Sequence, residues 1–457
     1  MNLDRINHLH LVGIGGIGLS GLASLMLAMG KKVSGSDLVS SEITDQLIKR
    51  GAVINFSHQS EHLLGTTDLL VHSSAVPEDN PELLAGKAQG INTLTYHQFL
   101  AELMREKYGI AVAGTNGKST VTAMIGLLMA KAGLDPTVTV GTKVKEFSGN
   151  ARLGQSKYLV SEACEYQAHM LLLPAQAIVL TNIEEDHLDY YLDLPDIINH
   201  FQQFIDKLPD CGLLVINNDD PNLVQLKKPD CQIITYGFSP SSDLMASELQ
   251  PKSGQQQFSL TWRGKDLGQF SLKLPCQFNV YNALAAIALG LQLKIKPEII
   301  KLFLADFSGL WRRFELIGEV GGVPIISDYA HLPSSLRQTI AGAREFFPKK
   351  RIVTVFQPHQ QARTKKLFNQ FADSFNRTDL LILVEIYQVA GREEKQYQDV
   401  SSKQLAEQIS AKEVKVIYAK DLDQTRQLVK DNLEKNDLLL ILGAGDIYLV
   451  GNQMVKK

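Results

Sequence analysis

The sequence predicts an α/β chain of three domains, each built on a largely parallel sheet. Two observations carry this. Short apolar runs alternate with helical stretches through the first and last thirds of the chain, and most end in a glycine, proline or polar turn, the pattern of strands feeding crossover helices. A length of 457 residues also exceeds what one compact core accommodates.

In the first region, residues 9–13 form a strand and 18–30 an apolar helix closed by Gly30. A second strand, 32–36, ends at Asp37. A helix (42–51), strands at 52–56 and 68–73, a proline-containing loop and a helix (96–106) complete it. Lys107-Tyr108-Gly109 marks a break. The second region opens with an apolar strand at 110–113 and a helix at 120–132, then strands near 158–161 and 177–181. Residues 255–274 alternate apolar and polar side chains, the signature of an antiparallel part. Residues 282–293 are an Ala/Leu-rich helix, and 307–311 form the second boundary. Apolar strands at 323–326, 352–356, 380–384, 414–417 and 438–442 define the third region. The expected boundaries are thus 1–107, 108–311 and 312–457.

Composition excludes several classes. A net charge of −3 exerts no pull toward nucleic acid or an anionic membrane. The four cysteines (Cys164, Cys211, Cys231 and Cys276) lie far apart, so neither a zinc knuckle nor a disulfide framework is expected. No apolar run has the length of a membrane span, and Met1-Asn2-Leu3-Asp4-Arg5 leads directly into a strand, so the expected location is cytoplasmic.

The chemistry gathers at strand ends. Gly114-Thr115-Asn116-Gly117-Lys118-Ser119 follows an apolar strand and opens a helix. Glycines there let backbone N–H groups approach phosphates, the lysine neutralises charge and the serine hydroxyl reaches a metal. The strict pattern asks for glycine where Val112 stands. Gly13-Ile14-Gly15-Gly16-Ile17-Gly18 repeats the arrangement at the first strand, and Asp37 ends the next one. That suits NAD, and it suits the pyrophosphate of UDP equally well. Ser73-Ser74-Ala75 faces the same crevice. Ser161-Glu162-Ala163-Cys164-Glu165-Tyr166 and Thr181-Asn182-Ile183-Glu184-Glu185-Asp186-His187-Leu188-Asp189 supply carboxylates and an imidazole for Mg²⁺. Trp311-Arg312-Arg313-Phe314-Glu315 places arginines at a domain boundary, where one could act as a phosphate-reaching finger or merely anchor a linker. Asp328-Tyr329-Ala330-His331, Gln357-Pro358-His359-Gln360-Gln361-Ala362-Arg363-Thr364 and Leu442-Gly443-Ala444-Gly445-Asp446 follow strands of the third region, where ligands of parallel sheets bind.

In this order the motifs resemble the Mur ligases of peptidoglycan synthesis, over nearly the whole chain. The resemblance rests on Gly13–Gly21 with Ser34–Asp37, Gly114–Ser119, Glu162–Tyr166, Asn182–His187, Arg312–Glu315, Asp328–His331, Phe356–His359 and Leu442–Asp446. It implies an N-terminal Rossmann-like domain for a UDP-sugar. A central P-loop ATPase-type α/β domain with an antiparallel subsheet follows, and then a C-terminal Rossmann-like domain for an amino acid. The implied activity is ATP-dependent amide formation through an acyl phosphate. UDP-N-acetylmuramate and L-alanine are the expected small-molecule substrates, ATP and Mg²⁺ the cofactors. Neither nucleic acid nor membrane insertion is expected, and the assembly is a monomer or a weak homo-oligomer.

By the same resemblance Gly114, Thr115, Asn116, Gly117, Lys118, Ser119, Thr120, Asn282, Arg313 and Asp328 contact the nucleotide. Ser119, Glu162 and His187 serve the metal, and Gly15, Gly16, Gly18, Asp37, Ser73 and Ser74 hold the UDP-sugar. Lys118, His187, Arg313, His331, His359 and Arg363 carry the catalysis. Departures from the family pattern are Asn116 and Phe278, where histidine is usual, Leu332 in place of a second histidine, and Gln360 in place of arginine. Gln202-Gln203 stands on the helix where sister enzymes place a carbamylated lysine, so no carbamate is expected. Three alternatives stay open: a recycling ligase that attaches a preformed peptide to the same UDP-sugar, an NAD-dependent dehydrogenase, and a catalytically silent UDP-sugar-binding paralogue. A second glycine loop ending in Lys118-Ser119 has no role in hydride transfer.

Overall fold

The computed structural model describes residues 5–188, 190–252, 255–388 and 399–455. Met1 to Asp4 and Asp189, read above, lie outside the described residues. The backbone forms two compact units. One comprises 1–246, 260–267 and 281–303, the other 247–259, 268–280 and 304–457.

The first sheet contains β1 (His8–Val12), β2 (Lys32–Ser36), β3 (Val53–Asn55), β4 (Leu69–His72) and β5 (Asn92–Thr95), in the order β3-β2-β1-β4-β5. All of its pairs are parallel. The chain leaves β1 to one side and later returns to the other, so a switch point lies between β1 and β4. Ligand crevices in such sheets open outside the strand ends at that point. Leu9, Leu11, Leu69 and Val71 are buried beneath the helix Ile17–Ala28 and its neighbours, as expected of strands covered on both faces.

The second sheet contains β6 (Tyr108–Ala113), β7 (Thr137–Val144), β8 (Gly149–Arg152), β9 (Tyr158–Glu162), β10 (Ala177–Leu180), β11 (Leu213–Asn217), β12 (Gln232–Gly237), β13 (Leu244–Lys252), β14 (Gln255–Trp262) and β15 (Lys265–Leu272). Their order is β15-β14-β13-β12-β11-β10-β6-β9-β7-β8. Central β6 pairs in parallel with β9 and β10. The neighbours β14 and β15 are joined by Arg263 (φ 46°) and Gly264 (φ 79°), a tight hairpin turn that supplies the expected antiparallel part. A further antiparallel pair, β7–β8, was not legible beforehand.

The third sheet contains β16 (Glu315–Val320), β17 (Val323–Asp328), β18 (Arg351–Phe356), β19 (Leu380–Val384), β20 (Val416–Ala419) and β21 (Asp437–Leu442), in the order β16-β17-β21-β18-β19-β20. All its pairs are parallel except β16–β17. The strand expected at 414–417 lies two residues later. Among the described residues no helix is long and apolar enough to cross a membrane.

Candidate active site

Central strand β6 runs into Gly114, at φ 138°, and Gly117, at φ 86°, caps the helix Lys118–Lys131. Both glycines are required by space as well as by φ. A Cβ on Gly114 would lie 2.0 Å from Thr181 Oγ1, and one on Gly117 would lie 2.3 Å from Asn282 Oδ1. The loop after β10 is stitched to this turn. Thr115 N donates to Asn182 O (2.9 Å) and Asn116 N to Asn182 Oδ1 (2.9 Å). Thr181 Oγ1 donates to Asn116 O (2.6 Å), and Glu184 N donates to Thr115 Oγ1 (2.8 Å). The turn is therefore held open by its neighbours at a helix N-terminus, where the backbone favours an anion.

The Lys118 ammonium curls back over this turn. It donates to Gly114 O (2.6 Å), Thr115 O (3.0 Å) and Glu165 Oε1 (2.8 Å). Burial is the largest single effect on its pKa and lowers it, but Glu165, Cys164 and Glu162 together outweigh burial and hold it above the usual value. Glu165 Oε2 is buried and has no hydrogen-bond partner among the described residues. His187 Nε2 lies 3.8 Å from Glu165 Oε1 and 3.7 Å from Asp186 Oδ2. Glu165, Asp186 and His187 each present a donor atom within 4.8 Å of the others. Two carboxylates, one with an orphaned buried oxygen, fit a hard divalent cation such as Mg²⁺. The Glu162 carboxylate accepts from Gly141 N instead, and Ser119 is buried in the first turn of the helix. Glu165 and Asp186 were in the motifs read from the sequence but were not singled out there.

At the first sheet, Gly15 N donates to Asp37 Oδ2 (2.8 Å). A Cβ on Gly15 would meet that oxygen at 2.8 Å, and one on Gly18 would meet the Tyr96 ring at 2.9 Å. Ser73 follows β4 across the switch point, and its Oγ accepts from Ala75 N (3.2 Å). Gly15, Gly16, Gly18, Asp37, Ser73 and Ser74 thus share one end of one sheet.

In the other unit, the buried Asp328 accepts from Phe314 N (2.7 Å) and Ala330 N (2.7 Å). Burial raises its pKa, partly offset by the Arg313 charge. The Arg313 guanidinium lies 4.8 Å from the Tyr329 ring centre. Arg312 is buried among Trp311, Tyr329 and Tyr448 and donates to Gly443 O. Beyond β18, the His359 ring stacks on Tyr387 with centres 5.4 Å apart and meets His331 edge-on at 6.2 Å. Arg363 Nη1 lies 3.3 Å from His359 Nδ1. His331, His359 and Arg363 therefore gather outside the strand ends of the third sheet, with the departure Gln360 at φ 70° between them.

Three matched segments cover the chain. Residues 8–108 match the Mur ligase family catalytic domain, 112–290 the Mur ligase middle domain, and 312–445 the Mur ligase glutamate ligase domain. The UDP-N-acetylmuramate–L-alanine ligase of Desulfotalea psychrophila is 42% identical over 453 residues, with 98% of this chain and 97% of that protein covered. The enzyme of that name from Caldanaerobacter subterraneus subsp. tengcongensis is 39% identical over 460 residues, with 100% and 99% covered. The crystal structure of the UDP-N-acetylmuramate–alanine ligase of Thermotoga maritima has a TM-score of 0.84 at 26% identity, covering 98% of both chains. By sequence over its full length and by fold, this chain belongs to the Mur ligase family.

Proposed function

We propose that this Mur ligase joins L-alanine to the lactyl carboxylate of UDP-N-acetylmuramate at the expense of ATP, an early step in building peptidoglycan precursors. The observation that carries the reading is Lys118, fixed over a glycine turn and paired to Glu165 beside His187 and Asp186. The full-length identity to the alanine-adding relatives supports the choice of substrates. A cytoplasmic location belongs to the same proposal, as does a division of labour among residues 1–107, 108–311 and 312–457.

In this reading the Gly114–Thr120 turn and helix take the triphosphate and Asn282 lies against the adenine side of the turn. Lys118 spreads γ-phosphate charge while the substrate carboxylate oxygen attacks phosphorus and ADP leaves. Alanine's amine then attacks the acyl carbon, inorganic phosphate departs, and the amine's proton passes to the surroundings. Positioning and charge neutralisation dominate such a transfer. Glu165, Asp186 and His187 would hold Mg²⁺, with Ser119 next to Lys118 and Glu162 on the strand before Glu165 as further ligands, and the ion would supply charge to the phosphates. Arg313 and Asp328 serve the nucleotide. His331, His359 and Arg363 receive the amino acid, and Gly15, Gly16, Gly18, Asp37, Ser73 and Ser74 hold the UDP-sugar.

The test is phosphate release with UDP-N-acetylmuramate, ATP and Mg²⁺ across amino acids, with a murein tripeptide as a separate arm. L-Alanine is the expected stimulant, and Lys118→Ala abolishes the signal. Stimulation by the tripeptide alone would replace this reading with peptide recycling. No release with any acceptor would reduce the chain to a UDP-sugar binder.

A further inference from the structure

We propose that His97, Cys164 and His169 form a second metal site, selective for Zn²⁺ and separate from the Glu165–Asp186–His187 set. Each of the three offers one donor atom, and these atoms lie within 4.8 Å of one another. His97 comes from the helix Tyr96–Arg105, which follows the first sheet. Cys164 and His169 come from the turn after β9. The two imidazoles stack at 3.7 Å between centres, 13° from parallel.

The stack leaves a polar debt that protein groups do not settle. His97 Nδ1 and His169 Nδ1 are both buried, and neither finds a hydrogen-bond partner among the described residues. Buried polar atoms are nearly always satisfied, so two orphans on the two histidines of one cluster call for a ligand. A divalent cation displaces the Cys164 thiol proton on binding.

Ion choice follows from the donors. One sulfur and two imidazole nitrogens select a borderline ion over Mg²⁺ or Ca²⁺, which take oxygen. Ligand distances of about 2.0–2.3 Å around Zn²⁺ require the rings to tilt out of their stack. Three protein ligands leave a fourth position for water or a ligand atom. The ion would tie the helix Tyr96–Arg105 to the turn that carries Glu165, and hence to Lys118.

Co²⁺ is the probe, titrated into the full chain with Mg²⁺ in excess. One equivalent is expected to give tetrahedral d–d bands and a near-ultraviolet thiolate-to-cobalt band, both displaced by Zn²⁺. Cys164→Ser is expected to abolish the thiolate band. His97→Asn and His169→Asn should weaken binding by roughly 100-fold or more, and His187→Asn should leave the band in place. Native mass spectrometry of the unmodified chain provides a reading that needs no variant, with one Zn²⁺ retained per chain in excess Mg²⁺. Absence of the thiolate band together with no retained Zn²⁺ would overturn the proposal. So would a band that survives both histidine substitutions. None of these readings depends on ligase turnover, so they stand or fall apart from the proposed activity.

Discussion

Replacing Lys118 by Met separates the stability of the phosphate turn from its chemistry. The Glu165 side chain is 4% exposed and Lys118 17%, and their contact is 2.8 Å. Removing one member of a buried ion pair costs about 3–5 kcal/mol, because the other charge stays behind without compensation. The partial exposure of Lys118 places the expected loss near the lower figure, about 3 kcal/mol. For a domain of a few hundred residues each kcal/mol moves the melting temperature by roughly 2–4 °C. Lys118→Met should therefore melt roughly 6–12 °C lower. Adding Glu165→Gln removes the stranded charge and should recover more than half of the loss, since the two residues are coupled. Phosphate release should stay down by about 100-fold or more in both variants, because the ammonium is missing in each. Differential scanning fluorimetry and a coupled phosphate assay measure the two effects. A Lys118→Met variant that melts with the parent, or a double variant that melts no higher than Lys118→Met alone, would refute the pairing.

Four further outcomes are expected. Gly114→Ala should cut ATP affinity, measured by calorimetry, by at least tenfold, because the new methyl would sit 2.0 Å from Thr181 Oγ1 at φ 138°. Gly15→Ala should impair UDP-sugar binding and leave ATP binding unchanged, since its Cβ would collide with Asp37 at the other glycine turn. Burial pushes the Glu82 carboxyl up, but hydrogen bonds from His10, Ser36 and His58 outweigh it and hold it below its ordinary 4.5; its stabilisation is complete above pH 4.5 and is lost as pH falls through the lower folded value, so acid melting curves should lose this component in Glu82→Gln. Ala168→Gly should raise the melting temperature, because relief of left-handed strain at φ 55°, about 1–2 kcal/mol, exceeds the ~0.4–1 kcal/mol of added chain entropy; a fall would mean that the turn is unstrained.

The glycine turns and the strand ends around them were legible because geometry leaves little choice there. Gly114 and Gly117 sit where a side chain meets Thr181 or Asn282, and a run such as 110–113 is apolar because both faces of a central strand are covered. What escaped notice lacked such signals. Strand β5 reads Asn-Thr-Leu-Thr, a segment too polar to announce a sheet. Glu162 and Glu165 are equivalent in sequence terms. Only the fold shows that the first turns to Gly141 N while the second reaches Lys118. The turn that follows them bends at Gln167 and Ala168, both at positive φ without glycine, and no local pattern predicts that. Likewise Arg312 and Arg313 are adjacent and alike, yet one is enclosed by three aromatic rings and the other lies over the Tyr329 ring.

The short turn after β9 explains why these oversights converge. Non-glycine residues persist in the left-handed region only where their surroundings determine the backbone more strongly than its own preference does. Here the surroundings act from both sides. Glu165 is drawn to Lys118, the Tyr191 hydroxyl donates to the Glu165 carbonyl, and Met170 N donates to Cys164 O. On the other side His169 lies flat against His97. Cys164 and Glu165 are consecutive, so one belongs to the histidine cluster and the next to the phosphate turn. A single peptide unit therefore joins the two clusters. This link gives a change at His97 a short route, through the covalently joined Cys164 and Glu165, to the Lys118 side chain.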